Sequence, residues 1–472
     1  MFASIENVIT TVDDALWGWP LIILILCVGL LLTIRTGIQR YVPLGIKHML
    51  ANESTGEGEV SSFGALCTAL SATIGTGNIV GVATAICAGG PGALLWMEVA
   101  ALVGIATKYS ECTLAIKYRE IDKDGHVLGG PFYYIEKGMG KNWTWLGKLF
   151  ALFGVLAGLL GIGTITQING IVSAIQNFFQ PDFDAATSAG VMIMGNNYSM
   201  STVIGAVVVT ALVALVVIGG LQRISAVAEK VVPFMAIIYI AFAVILILCN
   251  ITKIPMAVSQ IVVGAFNPAA VSGGLIGVTI KTAMQKGIAR GIFSNEAGLG
   301  SAPIAAAAAQ TDEPVRQGLV SMLGTFIDTI IVCTMTGLSI VLTGAWDTGT
   351  GITGVAVTTL AFQEGLPFPA KFSAFVLMVC LAFFAFTTIL GWDYYSERCL
   401  EYFTGSKKAT LVYRWVYILA VLIGPFLTVS AVWTIADIFN GLMAFPNLIA
   451  LIALSGVVSA ETKAYFAKHK EG

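Results

Sequence analysis

Charged side chains are scarce in this chain. Asp, Glu, Lys and Arg make up 11% of its 472 residues, where a soluble domain carries roughly 25%. That scarcity, with 57% hydrophobic residues, excludes an ordinary soluble fold and implies an integral membrane protein. Histidine is nearly missing: His48, His126 and His469 are the whole set, and none lies in the middle of an apolar run. With no HExxH pair and no serine beside an evident base, the parts of an intramembrane enzyme are lacking. No CxxC pair joins Cys27, Cys67, Cys87, Cys112, Cys249, Cys333, Cys380 and Cys399. These read as small apolar packing residues. There is no basic domain on which a nucleic-acid role could rest, and the net charge of −2 names no partner. A simple channel would show a repeated pore motif or a charged ring, and neither is present. The first apolar run follows Glu6, Asp13 and Asp14 rather than a positive leader, so it reads as a retained helix and not a cleaved signal.

Long apolar runs and glycine (52 residues) are what the chain has in plenty, as expected where transmembrane helices pack closely. A span needs about 20 mainly apolar residues. The sequence offers eleven: about 15–34, 62–88, 92–118, 149–178, 203–220, 227–250, 279–311, 318–343, 370–391, 411–433 and 437–459. Placing the N-terminus outside and alternating puts 20 of the 25 Lys and Arg residues on the cytoplasmic side, including Arg35, Arg40, Lys47, the set from Lys108 to Lys148, and tail lysines 463, 468 and 470. The external side keeps Lys253, Lys281, Lys286, Arg290 and Lys371. This satisfies the positive-inside rule and predicts a multi-pass protein of the inner (plasma) membrane with a cytoplasmic C-terminus. The loop 119–148, with "GGPFYYIEKG", is expected at the inner interface, and the acidic, Ser/Asn-rich loop 179–202 outside.

Two spans are interrupted. "SATIGTGNIV" (Ser71–Val80) places two glycines, two threonines and an asparagine inside an apolar run, and "GIFSNEAGLGSAP" (Gly291–Pro303) does the same in the seventh span. Setting span one aside leaves ten, with breaks in the first and sixth. The expected architecture is therefore an all-α membrane protein of eleven helices. Residues 1–60 form an N-terminal helix and linker, 61–260 a first five-helix repeat, and 261–472 a second repeat and tail. Paired discontinuous helices in an inverted 5+5 repeat mark one class of secondary transporter. Non-helical backbone at membrane depth is tolerated only where it is buried or lines a cavity. Amides at the start of a resumed helix attract a carboxylate, and carbonyls freed at the end of the first half attract a cation. A zwitterionic amino acid with Na+ is a natural cargo, and glycine lets it approach the backbone.

"SATIGTGNIVG", "GGPFYYIEKG" and "NEAGLGSAPIAAAAAQTDEPVRQGLVSMLGTFIDT" resemble the alanine or glycine:cation symporter family. The resemblance covers nearly the whole chain. It implies the leucine-transporter-like fold with an added N-terminal helix, and sodium-coupled symport of small neutral amino acids such as alanine and glycine, with Na+ as coupling ion. Ile74-Gly75-Thr76-Gly77-Asn78 is similar to the motif at which the first core helix of that fold breaks. By that resemblance the amides around Gly75, Thr76 and Gly77 receive the substrate carboxylate, and the carbonyls of Ser71 and Ile74 face a sodium ion. Thr387 and Thr388 complete that ion's shell with hydroxyls. Phe293 falls at the aromatic gate over the substrate, and Ser294 with Asn78 at a second sodium site.

Other candidates come from the residues themselves. Gln167, with Thr164 one turn before it, lies in "GIGTITQINGIV" and could hold either end of an amino acid, or else bond to a neighbouring helix. Trp392 lies four residues past Thr388 and shares its helix face, where it would narrow the pocket, unless it is a belt tryptophan. Asn295 and Glu296 are polar at membrane depth and each needs a partner. Asp328 either pairs across the bundle or approaches a cation. A proton-coupled permease of the same fold is the rival. It would need a titrating group, with Glu296, Glu98 or Asp328 as candidates, and the Thr387-Thr388 pair argues against it. The expected partners are a small amino acid and membrane lipid. The oligomeric state stays open and is compatible with a monomer.

Overall fold

In a bilayer every backbone polar group must be satisfied within its own segment, so apolar runs become helices. The structure, a computed structural model, describes residues 2–52, 56–267, 279–347, 349, 351–427 and 429–469, with no account of the side chains of 2–7 and 429–433. Lys470, residue 428 of the expected span 411–433 and the side chains of its last five residues thus lie outside the described residues. Among the described residues nine helices are long and apolar enough to cross a membrane: Val8–Thr36, Gly92–Tyr118, Lys141–Phe179, Met200–Val217, Gly220–Cys249, Pro314–Thr343, Ala370–Thr404, Lys407–Phe426 and Thr434–Lys468. A tenth passes only as a pair, Ser62–Thr73 and Gly77–Gly89, bent by 50°. These ten coincide with ten of the expected runs. The seventh run is a helix Ile280–Asn295, a left-handed residue Glu296 (φ 57°), and a short helix Ala302–Ala306. Strands occur only as two hairpins among the described residues, Glu120–Ile121 with Val127–Leu128 and Val191–Ile193 with Asn196–Tyr198, inside the loops expected at 119–148 and 179–202.

The ends of the two interrupted helices on the side of loop 119–148 are joined. Val60 and Ala309 form an isolated parallel bridge. Glu59 N–H and Val60 N–H donate to Ala308 O (2.9 and 3.1 Å), and Gln310 N–H donates to Val60 O (2.8 Å). Arg119 closes the junction. Its guanidinium donates to the carbonyls of Ala307 (2.7 Å), Ala309 (2.6 Å), Glu57 (2.7 Å) and Thr311 (2.7 Å). Only a planar cation with five donors can serve four acceptors at once.

An ionic cluster ties this junction to the long helix Ala370–Thr404. His126 meets Glu59 through Nδ1 (2.9 Å) and Glu401 through Nε2 (3.2 Å), while Arg398 donates to Glu401 (2.6 Å) and also touches His126 Nε2. Two carboxylates, one guanidinium and one imidazolium sum to zero, so the protonated imidazole balances the cluster. Hydrogen bonds to Glu401 and Glu59 raise the His126 pKa from 6.5 to about 9. A pKa raised on folding contributes stability that is whole below 6.5 and is lost as pH climbs through about 9. His126→Gln is expected to flatten the loss of thermal stability of the detergent-purified protein between about pH 7 and pH 10. Superimposable pH profiles of variant and wild type would refute this role.

Candidate functional site at the two breaks

The first break follows from unused carbonyls and rerouted amides. Helix Ser62–Thr73 ends at Ile74, which is extended (φ −76°, ψ 92°). Gly75 N–H turns away from the i−4 carbonyl of Ser71 and donates to Asn78 Oδ1 (2.8 Å), and Thr76 N–H donates to Gln167 Oε1 (3.1 Å). The chain resumes through a π-turn, Gly77–Gly81. Thr388 Oγ1 donates to Ile74 O (3.3 Å) and Phe384 O (3.0 Å). A Cβ on Gly75 would lie 2.4 Å from Thr388 Oγ1 and 3.0 Å from Gln167 Oε1. Ser71, Ile74, Gly75, Thr76, Gln167 and Thr388 therefore converge. Among the described residues Thr76 Oγ1, buried there, has no hydrogen-bond partner, which fits a position that meets a ligand.

Two candidates are not brought to this point by their hydroxyls. Thr387 Oγ1 donates to Phe383 O (3.1 Å) and Phe384 O (3.0 Å) and contacts Met235 Sδ (3.6 Å), the local back-bonding open to any buried threonine. Thr164 Oγ1 donates to Leu159 O (2.7 Å) and satisfies the kink in its own helix.

At the second break, Asn295 Oδ1 accepts Ala297 N–H (2.9 Å) and its Nδ2 donates to Thr329 Oγ1 (3.0 Å). It thus closes a local turn just past the helix end, its side chain already partnered. Glu296 accepts from Trp392 Nε1 (2.7 Å) and Ser301 Oγ (2.5 Å). Trp392 is fully buried, so it is no interfacial belt residue. The two breaks meet at Gly77, whose Cβ would lie 3.2 Å from Ser294 Cα and 3.4 Å from Phe293 Cδ1. Asp328 joins them. Fully buried, it accepts from Asn78 Nδ2 (2.7 Å), Ser294 Oγ (2.8 Å) and Thr329 Oγ1 (2.9 Å). Beside the breaks Arg290 grips Asp437 at 3.1 and 2.6 Å, its guanidinium carbon 5.3 Å from the Phe293 ring centre. A cavity of about 520 Å³ opens there, lined by Val80, Thr84, Asn169, Ser173 and Arg290.

Residues 2–472 match the sodium:alanine symporter family. This chain belongs to that family. Among its sodium:alanine symporter relatives, the sodium/alanine symporter AgcS of Methanococcus maripaludis is 43% identical over 472 residues, 98% of this chain and 97% of that one. An uncharacterized transporter of Haemophilus influenzae is 53% identical over 469 residues, 99% of this chain and 97% of that one. The "probable sodium/glutamine symporter" GlnT of Bacillus subtilis is 35% identical, covering 99% and 92%. Among solved structures, MhsT in complex with L-phenylalanine matches with a TM-score of 0.54 at 13% identity, covering 87% of this chain and 99% of that one. That likeness carries the fold, which is leucine-transporter-like. As a member of the sodium:alanine symporter family, the chain is a multi-pass membrane transporter and not an enzyme, and more closely a cation-coupled amino-acid symporter.

Within this symporter some polar residues find partners that the amino-acid sequence does not point to. Glu111 Oε1 accepts Gly298 N–H (3.1 Å) and Asn447 Nδ2 (2.5 Å), and so holds the unwound segment after Glu296. Lys108, one turn earlier, is buried with no hydrogen-bond partner for its ammonium among the described residues. Asp437 forms its pair with Arg290 147 residues away. A polar residue inside an apolar run announces that it has a partner, but not which one.

Proposed function

We propose that the protein is a sodium-coupled symporter that imports small neutral amino acids, alanine and glycine, by alternating access. Eleven spans, N-terminus outside, would form an added helix (within 1–60) and an inverted 5+5 repeat (61–260 and 261–472) in the inner membrane. Sodium lies between the carbonyls of Ser71 and Ile74 and the hydroxyls of Thr388 and, after a rotamer change, Thr387. The substrate carboxylate takes the amides of Gly75, Thr76 and Gly77 with Gln167, and Phe293, Ser294 and Trp392 close the pocket, with Thr164 and Asn295 behind them. A second sodium sits at Asn78 and Ser294, where Asp328 supplies charge. The observation that carries the reading is the Thr388–Ile74 contact beside the unpartnered Thr76 hydroxyl. The hard ion Na+ suits oxygen ligands of this kind, and the family and its sodium/alanine relative support the cargo.

The test is uptake of labelled alanine into proteoliposomes under a Na+ gradient, with choline as control and a panel of L- and D-amino acids as competitors. Uptake indifferent to Na+ sinks the sodium reading. The proton-coupled reading draws on half-buried Glu98 and buried Glu296 and Asp328, and predicts uptake driven by a pH gradient alone. Thr388→Ala is expected to weaken Na+ dependence, raising the half-saturating Na+ concentration about tenfold, as for one lost ligand worth ~1.4 kcal/mol. An unchanged apparent Na+ affinity would count against this site.

A further inference from the structure

The first and last long helices enclose a second cavity, of about 520 Å³, remote from the breaks. Arg35, Arg40, Tyr41, Ser459, Lys463 and Phe466 line it, and no acidic residue does among the described residues. One guanidinium nitrogen of Arg35 donates to Ser455 Oγ (2.8 Å). Arg40 lies 4.8 Å from the centre of the Tyr41 ring, which in turn stacks on Phe466 at 4.0 Å. Neither arginine nor Lys463 has a carboxylate partner among the described residues. Glu461, two residues from Lys463, is taken by Lys117 (2.5 Å). Three positive charges thus share one cleft with nothing among the described residues to balance them. The cleft sits where two apolar helices end. Along the helix Val8–Thr36, Ile34 (76% exposed), Leu30 (50%) and Ile23 (53%) face outward, as do Ile452 (44%) and Ile449 (38%) on the helix Thr434–Lys468.

We propose that this cleft binds an anionic phospholipid, with the phosphate headgroup among Arg35, Arg40 and Lys463 and the acyl chains along the aliphatic strip. Charge complementarity selects the headgroup. The strip selects a lipid over a free anion, because only a lipid brings chains to cover it. In the proposed orientation the site belongs to the cytoplasmic leaflet, where a basic pocket between helices meets anionic headgroups. The proposal rests on the membrane reading of the chain but not on its cargo.

The test uses the full-length protein in detergent, titrated with phosphatidylglycerol or phosphatidylcholine while thermal melting is followed and bound lipid is counted by native mass spectrometry. Phosphatidylglycerol is expected to be retained and to raise the melting temperature more than phosphatidylcholine. Arg40→Gln and Lys463→Gln should each weaken the retention about fivefold, and the pair about thirtyfold, at ~1 kcal/mol per cation. Neither residue touches the breaks, so Na+-driven alanine uptake in neutral-lipid vesicles should stay at the wild-type rate. Equal retention of the two lipids overturns the proposal, as does a double variant that keeps the phosphatidylglycerol preference. Inorganic phosphate at millimolar concentration reproducing the melting shift overturns it too, by showing a free-anion site. If the double variant does not fold, the wild-type comparison and the two single variants decide. Loss of alanine transport with the lipid preference intact would refute the symporter reading and leave this site standing.

Discussion

Gly75→Ala is expected to abolish Na+-driven alanine uptake in a protein that still folds. The added methyl would stand 2.4 Å from Thr388 Oγ1 and 3.0 Å from Gln167 Oε1, both inside van der Waals contact. Three things could yield: the backbone of the break, the glutamine, or the threonine. The break is held by Asn78 on Gly75 N–H. The long helix packs closely on the same broken helix, where a Cβ on Gly391 would lie 2.7 Å from Ala72 Cβ, and a retreat would open that contact. The hydroxyl of Thr388 must therefore rotate away from Ile74 O, and Gln167 must leave Thr76 N–H. Both contacts belong to the proposed sodium and carboxylate positions. Misplacement on the scale of 1 Å at a reacting or binding centre costs about a hundredfold in rate, and overpacking of this kind costs about 1–3 kcal/mol of stability. Initial rates in proteoliposomes, with a melting curve on the same preparation, check both. A rate within about threefold of wild type would overturn the placement of the site.

Asp328→Asn should have the next largest effect. The substitution keeps the shape of the side chain and removes its charge. Asn78 donates to Oδ1, and the hydroxyls of Ser294 and Thr329 donate to Oδ2. An amide nitrogen placed at the second position is met by two hydroxyls, which can rotate to accept, so the fold survives. What is lost is a full negative charge at the meeting point of the two breaks. Unit charges 4 Å apart interact by about 4 kcal/mol at an effective dielectric of 20, so a tenfold rise in half-saturating Na+, ~1.4 kcal/mol, is a lower bound. The Na+ dependence of uptake, fitted for both apparent affinity and sigmoidicity, measures this. The proton reading expects the reverse pattern, in which pH dependence vanishes and Na+ dependence is untouched. Both properties unchanged would leave Asp328 as a structural acceptor only.

Much of this arrangement is legible in the chain, for a physical reason. Glycines, hydroxyls and an asparagine crowded together inside an apolar run do not suit a continuous span, so "SATIGTGNIV" and "GIFSNEAGLGSAP" stand out by their residues alone. Glu296 stands out likewise, and the fold gives it Trp392 and Ser301 as partners. Placing Trp392 as a helix-face neighbour of Thr388 agrees with its burial. Less legible is everything that depends on register. The stretch Phe326–Cys333 is π-helical, so counting by 3.6 from the helix start misplaces Asp328. Thr387 and Thr388 are adjacent and chemically equal and both bond back to the preceding turn, yet Thr388 also reaches Ile74 O while Thr387 faces Met235. Arg290 with Asp437, and Glu111 with Asn447, are pairs whose members lie far apart in the chain, and periodicity carries no information across such distances.

The bridge between Val60 and Ala309, with Arg119 across it, bears on how faithfully ion and cargo travel together. Two half-helices that swung independently would allow a state in which one had opened and the other had not, and through it an ion could slip alone. Here they share backbone hydrogen bonds and one guanidinium, so a displacement of either is a displacement of both. The number of partly open states falls, and with it the leak. Under the proposed symport mechanism, the coupling of ion to cargo would then rest in part on a few carbonyls remote from the proposed ion position.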